Sequence, residues 1–385
     1  MPSSRATDAP STTLGELALL FLRLGVTAFG GPAAHIAMME DEVVRRRRWL
    51  TSAQFLDLLG ITQLIPGPNS TELAIHIGQQ RAGWRGLLVA GCAFILPASA
   101  LTGTLGWVYL RFGMLPQAHA LLYGIKPVII AVLLQALIGL APKASKSRSL
   151  VAIGGLSLLA AALGVNELLC LAFAGLLALL VRERFSPPLM LAGVGSKTLG
   201  SLALATVSAT PFSLGALFLV FAKVGSVLFG SGYVLLAFLR ADLVEHRHWL
   251  TEAQLLDAIA VGQVTPGPVF STATFIGYVL GGAPGALLAT LGIFLPAFFF
   301  VAISGLLLRK IRRSPRLGAF LDGVNVASLA LMAVVTAQLC RAALVDLPSV
   351  LLLASSALLL LRFKLSSTWL IAAGALLGIA IQGWR

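Results

Sequence analysis

Apolar residues along this chain gather in runs of roughly 15 to 25 that recur from Leu14 to Ile381, separated by short segments carrying Arg and Lys. About 20 consecutive apolar residues cross the hydrocarbon core of a bilayer as a helix, so the pattern predicts an all-α, polytopic membrane protein. The runs are interrupted in a repeated way. Phe29-Gly30-Gly31-Pro32 and Phe229-Gly230-Ser231-Gly232 break a first helix in each half, and Pro66-Gly67-Pro68 and Pro266-Gly267-Pro268 follow. A Pro-Gly-Pro sequence removes two backbone donors and restricts the residue before each proline. It either breaks a span or turns a re-entrant hairpin.

The repetition extends along the whole chain. Trp49-Leu50-Thr51, Ala53-Gln54, Leu56-Asp57, Gln63 and Pro66-Gly67-Pro68 return 200 residues later, eleven identities in twenty positions. The register then slips by one, and Leu96-Pro97-Ala98 matches Leu295-Pro296-Ala297, Gly124 matches Gly323 and Gly175 matches Gly374. Two homologous repeats, 12–185 and 212–385, joined by a linker at 186–211, are the expected organisation. Each repeat reads as a glycine-interrupted helix, two short segments flanking Pro-Gly-Pro, two long spans and two shorter closing segments.

Composition removes the soluble alternatives. With 58% hydrophobic and 11% charged residues, the surface of a soluble globule cannot be dressed in polar atoms. The +13 net charge would suggest a nucleic-acid partner in a soluble chain. Here the cations sit in short loops between apolar runs, where they set orientation, and membrane lipid is the expected partner instead. If Pro-Gly-Pro turns a hairpin, Arg45 to Arg48, Arg81, Arg85, Lys143, Lys146, Arg148, Arg182 and Arg184 share one face, with Arg111 opposite. The same parity puts the Arg309 to Arg316 cluster inside while its first-half equivalent near Arg111 lies outside, so the repeats are expected to be inverted. Residues 1 to 13 lack the basic flank and apolar stretch of a signal peptide. Cys92, Cys170 and Cys340 lie far apart with no metal spacing, and neither a metal nor another cofactor is expected.

Inverted repeats with discontinuous helices are the architecture of secondary transporters, whose sites lie near the midplane at the repeat interface. A half-helix beginning after Pro68 or Pro268 presents unpaired N–H groups and roughly half a positive charge, which favours an anion. Asn69, Ser70 and Thr71, with Ser271 and Thr272, place an amide and hydroxyls there, and Gly30, Gly31, Gly230, Gln63 and Gln263 flank the breaks. Arg23 and Lys223 hold the same repeat position inside the first apolar run, where an unpaired cation is costly and faces a cavity, a partner or the interface. They suit a doubly charged ligand or an ion pair with a carboxylate. Lys126, matched by Asn325, is a third basic candidate. Asp57 and Asp257 can accept protons, hold the basic residues or simply offset a helix dipole, and Glu72 and His76 are candidate proton sites in the first half alone. His35, His119, His246 and His248 read as interface residues or loop partners.

At Phe29-Gly30-Gly31-Pro32, Trp49-Leu50-Thr51 and Pro66-Gly67-Pro68-Asn69-Ser70-Thr71-Glu72, repeated in altered form downstream, the chain resembles the chromate ion transporter family in its long form with two fused homologous domains. The resemblance implies chromate efflux at the bacterial inner membrane and chromate resistance. The second copy departs from the first, reading Val269-Phe270-Ser271-Thr272, so the halves are not expected to bind equivalently. Energetics favour export: moving a dianion out of an inside-negative cell gains ~4.6 kcal/mol at 100 mV, with no coupling ion required. Sulfate, with the same shape and charge, is the competing substrate. An intramembrane enzyme or lipid-handling protein is the competing class, and no His-Glu-x-x-His or Gly-x-Ser-x-Gly motif supports it. A homodimer is open to such a chain.

Overall fold

The computed structural model describes residues 12–29, 31–113, 115–184, 211–229, 234–311 and 314–383. Gly30, Gly230 and the linker up to residue 210 lie outside them. The described residues form helices and no strand. In chain order these are α1 (Leu14–Thr27), α2 (Gly31–Glu40), α3 (Ser52–Thr62), α4 (Asn69–Phe112), α5 (Pro116–Ala144), α6 (Arg148–Ala162), α7 (Glu167–Arg184), α8 (Leu214–Val227), α9 (Leu235–Leu239), α10 (Glu252–Val264), α11 (Thr272–Ile311), α12 (Pro315–Ala343), α13 (Leu347–Phe363) and α14 (Ser367–Gly383). Four of them, α4, α5, α11 and α12, are long and apolar enough to cross a membrane.

The element starts follow from local chemistry. Thr51 and Thr251 each accept from the N–H of the Gln three residues on, whose side chain accepts from the threonine N–H, so α3 and α10 begin with matched capping boxes. Upstream, α2 and α9 each run into a π-helical turn, at Asp41–Arg46 and Arg240–His246. Arg48 and His248 then take the left-handed conformation at φ 52° and 53°. The Val43 carbonyl accepts from Trp49 and Leu50, and the Leu243 carbonyl from Trp249 and Leu250. The guanidinium groups of Arg47 and Arg247 lie 5.0 and 5.1 Å from the Trp49 and Trp249 ring centres. The recurring Trp-Leu-Thr thus closes one turn and opens the next helix.

Straight, α4 would measure about 66 Å at 1.5 Å per residue, roughly twice the hydrocarbon thickness. It is folded instead. Ala82 and Gly83 leave helical geometry, with Gly83 at φ 60°, and in α11 Gly281 and Gly282 do the same. Beyond the break the chain doubles back, so that Gly78 packs on the Gly86 backbone and Gly277 on the Gly285 backbone, while Thr274 and Thr290 share a 2.7 Å hydrogen bond. Each of these helices is therefore a short arm, 69–81 or 272–280, followed by a long one, 84–112 or 283–311. At the far end of the first short arm, Arg81 donates to the Trp49 carbonyl at 3.2 Å. The segment from Trp49 through Pro-Gly-Pro to Arg81 thus begins and ends at one place.

The halves interlock. Lys146, just past α5, binds Asp322 in the first turns of α12 at 2.7 Å, and Tyr123 in the first turns of α5 donates to Asp346, just past α12, at 2.6 Å. α5 and α12 therefore run antiparallel along each other. The closing helices pack on the other half: Gly124 of α5 meets the α14 backbone at Gly374 and Gly378, and Gly323 of α12 meets the α7 backbone at Ala174. Small residues let backbones approach closely where lipid supplies no hydrophobic drive.

The packing is unequal around α3 and α10. From Leu255 to Ala260, α10 is wholly buried, Leu255 and Leu256 completely so. In α3 only Phe55 and Thr62 are buried, and Leu56, the counterpart of Leu256, is 61% exposed. A side chain placed at Gly124 would overlap the Gly374 carbonyl, whereas Gly155 in α6 faces open space. Gly124→Val is expected to cost about 3 kcal/mol of stability and Gly155→Ala less than about 0.5 kcal/mol, measured as shifts of the unfolding midpoint in detergent.

Candidate functional site

Irregular backbone inside a membrane must find hydrogen-bond partners within the protein, and here each Pro-Gly-Pro turn finds them in the opposite half. The Gly67 N–H donates to the Leu228 carbonyl just past α8 at 2.8 Å, and the Gly267 N–H donates to the Ala28 carbonyl just past α1 at 2.9 Å. Gly67 also lies against Ala297 of the α11 long arm, and Gly267 against Ala98 of the α4 long arm. Both glycines are at positive φ, 137° and 88°, which L side chains rarely adopt. Two turns, two broken first helices and two long arms thus share one seam.

Polar groups gather there without protein partners. Asn69 Oδ1, Thr71 Oγ1, both Glu72 carboxylate oxygens and Ser271 Oγ are buried and accept or donate no hydrogen bond among the described residues. All lie within a few residues of Pro68 or Pro268, at the starts of the short arms. Leaving a polar group so costs about 1–3 kcal/mol, so a cluster of them is a candidate site for a polar ligand. Ser70 Oγ is 3.3 Å from His35 Nδ1, and His35 Nε2 is 3.1 Å from the Ala28 carbonyl, which ties α2, α1 and both turns together. His76, a turn beyond Glu72, is buried 3.5 Å from Ser304 Oγ. Thr272, where the first half has Glu72, donates to the Val269 carbonyl at 2.8 Å.

The basic candidates are paired. Arg23 Nη1 is 3.7 Å from Glu42, in an exposed groove that also holds Asp41 and Arg46. Lys223 donates to both oxygens of Asp242 at 2.8 and 2.7 Å. Their positions lie about five residues, or some 7 Å of helix, before the Ala28 and Leu228 carbonyls at the turns. Lys126 pairs with Asp257 at 3.1 Å, and Tyr109 donates to the other Asp257 oxygen at 2.9 Å, so two first-half side chains clasp a carboxylate of the second. Asp57, its counterpart, is exposed. Gln63 is exposed and Gln263 half-buried at the ends of α3 and α10, and Gly31, at φ 77°, opens α2. The sequence pattern marks His35 only as an interface residue or loop partner, and it leaves Tyr109 and the carboxylates of Glu42 and Asp242 unmarked. For the last two a signal existed, since acids recur at positions 42 and 242 exactly as bases recur at 23 and 223.

Spanning helices, two broken-helix turns at a common seam and buried unpartnered polar atoms define a polytopic membrane transporter. Residues 15–198 and 215–379 both match the family described as chromate transporter. A chromate transport protein of Cupriavidus metallidurans is 34% identical over 96% of this chain and 94% of its own length. One from Pseudomonas aeruginosa is 34% identical over 90% and 87%, and an uncharacterised transporter of Methanocaldococcus jannaschii is 26% identical over 82% of each. No solved structure matches. The chain belongs to the chromate transporter family, and it is a multi-pass membrane transporter and not an enzyme.

The Lys126–Asp257 pair gives a direct test of how the halves are held. Lys126→Met alone strands a buried carboxylate and is expected to cost about 3 kcal/mol, whereas adding Asp257→Asn recovers much of the loss. A double-mutant cycle on detergent unfolding midpoints measures it, and purely additive effects would show that the two side chains are not coupled.

Proposed function

We propose that this protein is a secondary transporter that exports chromate, a tetrahedral dianion, across the bacterial inner membrane and so confers chromate resistance. The observation that carries the reading is the seam: two turns that exchange backbone hydrogen bonds across the halves, ringed by five buried side-chain oxygens with no protein partner. The names of the bacterial relatives supply the substrate. The anion is bound by the second-half turn, where the hydroxyl of Ser271 faces it. Ser70, Thr71 and Asn69 complete the shell from the first half. Glu72 occupies the corresponding place in the first turn, and, being anionic when ionised, it serves as a proton site beside His76 rather than as a ligand. Arg23 and Lys223 act as relay cations on the approach. Arg23, loosely held by Glu42, exchanges that carboxylate for the incoming oxyanion.

The two repeats, 12–185 and 212–385, are inverted in this reading. Support comes from the antiparallel course of α5 and α12, which occupy the same place in the two copies. Return of the chain at Arg81 to the Trp49 carbonyl supports a re-entrant hairpin around Pro66-Gly67-Pro68. The unequal burial of α3 and α10 supports alternation: with α10 docked and Asp257 clasped by Lys126, access is closed on one side. In the alternate state α10 is released and α3 docks on α12, bringing Asp57 toward Asn325, the counterpart of Lys126.

Chromate counterflow into inside-out vesicles tests the substrate, and strong competition by sulfate together with slow chromate movement would replace chromate by sulfate. Ser271→Ala with Thr71→Ala is expected to lower transport at least tenfold while leaving the protein folded in the membrane. Alternation has its own test. In a variant lacking the native cysteines, Asp57→Cys with Asn325→Cys is expected to cross-link under turnover and not when the Lys126–Asp257 pair is locked. Equal cross-linking under both conditions would rule out the exchange of α3 for α10.

A further inference from the structure

Away from the seam, the link between α5 and α6, with α6, α7 and the start of α12, lines a cleft of about 330 Å³ whose polar residues are Lys146, Ser147, Ser149, Arg182 and Asp322. Its remaining lining is apolar, from Leu150, Ile153, Ala178, Val181 and Ala319. Lys146 is held by Asp322 at 2.7 Å, and Arg182 has no ion-pair partner among the described residues. Lys143 and Arg148, both exposed, stand beside the rim. Five charges therefore meet at one helix-bundle corner, four of them positive, above a greasy wall.

The other half provides an internal comparison. The clamp between the α12–α13 link and the start of α5 is built by Asp346 and Tyr123, the counterparts of Ser147 and Asp322. At the positions matching Lys143, Lys146, Arg148 and Arg182 stand Ala342, Val345, Leu347 and Ile381. None of the four basic groups recurs at the matching positions of the other half, so the shared architecture does not call for them there. A basic cleft between spanning helices, opening beside an apolar wall, is complementary to a phosphate with acyl chains attached.

We propose that this cleft binds the headgroup of an acidic phospholipid, its phosphate held by Arg182 and Lys146 with Ser149, and its acyl chains laid along the apolar wall. A lipid there bridges the first-half helices α6 and α7 to α12 of the second, and so reinforces the contact that Lys146 makes with Asp322. Free inorganic phosphate has the same headgroup chemistry and no acyl chains, and the test separates the two.

Native mass spectrometry of the full chain in neutral detergent, titrated separately with phosphatidylglycerol, phosphatidylcholine and inorganic phosphate, reads occupancy without reference to transport. One tightly retained phosphatidylglycerol per chain is expected, with retention reduced at least fivefold in Arg182→Gln. That variant leaves the Lys146–Asp322 link intact and so controls for folding. Lys146→Gln added to it removes the remaining retention. Equal retention of phosphatidylcholine, unchanged retention in Arg182→Gln, or displacement of phosphatidylglycerol by millimolar phosphate would each overturn the proposal.

Discussion

A backbone N–H buried away from water must find its partner within the protein, and two such groups, on Gly67 and Gly267, organise this molecule. Each sits in a turn flanked by prolines that have no N–H of their own, and each donates to the last free carbonyl of a helix in the other half. Because the bonds are reciprocal, neither half satisfies its own turn. α1 ends at Thr27 and α8 at Val227, which leaves the Ala28 and Leu228 carbonyls to accept from the turns. The short arms must start immediately afterwards, which brings their N–H groups and hydroxyls to the same seam.

From that constraint the asymmetry of the site follows. The two turns make matching backbone hydrogen bonds, yet the side chains differ at the one position that decides charge, Glu72 against Thr272. A carboxylate and an oxyanion do not share a small buried space, whereas a hydroxyl and an oxyanion do. The same division of labour recurs further out. Lys126 clasps Asp257, while Asn325 and Asp57 cannot make the equivalent pair, and the basic rim at Lys146 and Arg182 has an apolar counterpart. A shared backbone plan thus carries different chemistry in its two copies, which a strictly symmetric pair could not do.

Ion pairing is the second organising force. Arg23, Lys223 and Lys126 are each matched to a carboxylate. The tightness varies, from both oxygens of Asp242 on Lys223 to the 3.7 Å contact between Arg23 and Glu42.

Much of this was legible in the amino-acid order alone. Apolar run length set the helical membrane class, Thr51 and Thr251 marked helix starts, and the paired prolines marked breaks, because each of these is a local consequence of hydration, capping or a missing N–H. What only the tertiary structure decided is which distant groups meet. Nothing local to Ala28 says that its carbonyl will serve Gly267, nothing near His35 points to Ser70, and the partners of Lys126 lie in another helix of the other half. Burial of α10 beside exposure of α3 is likewise invisible in two segments of nearly the same sequence, since packing depends on the space left by neighbours and not on the residues that fill it.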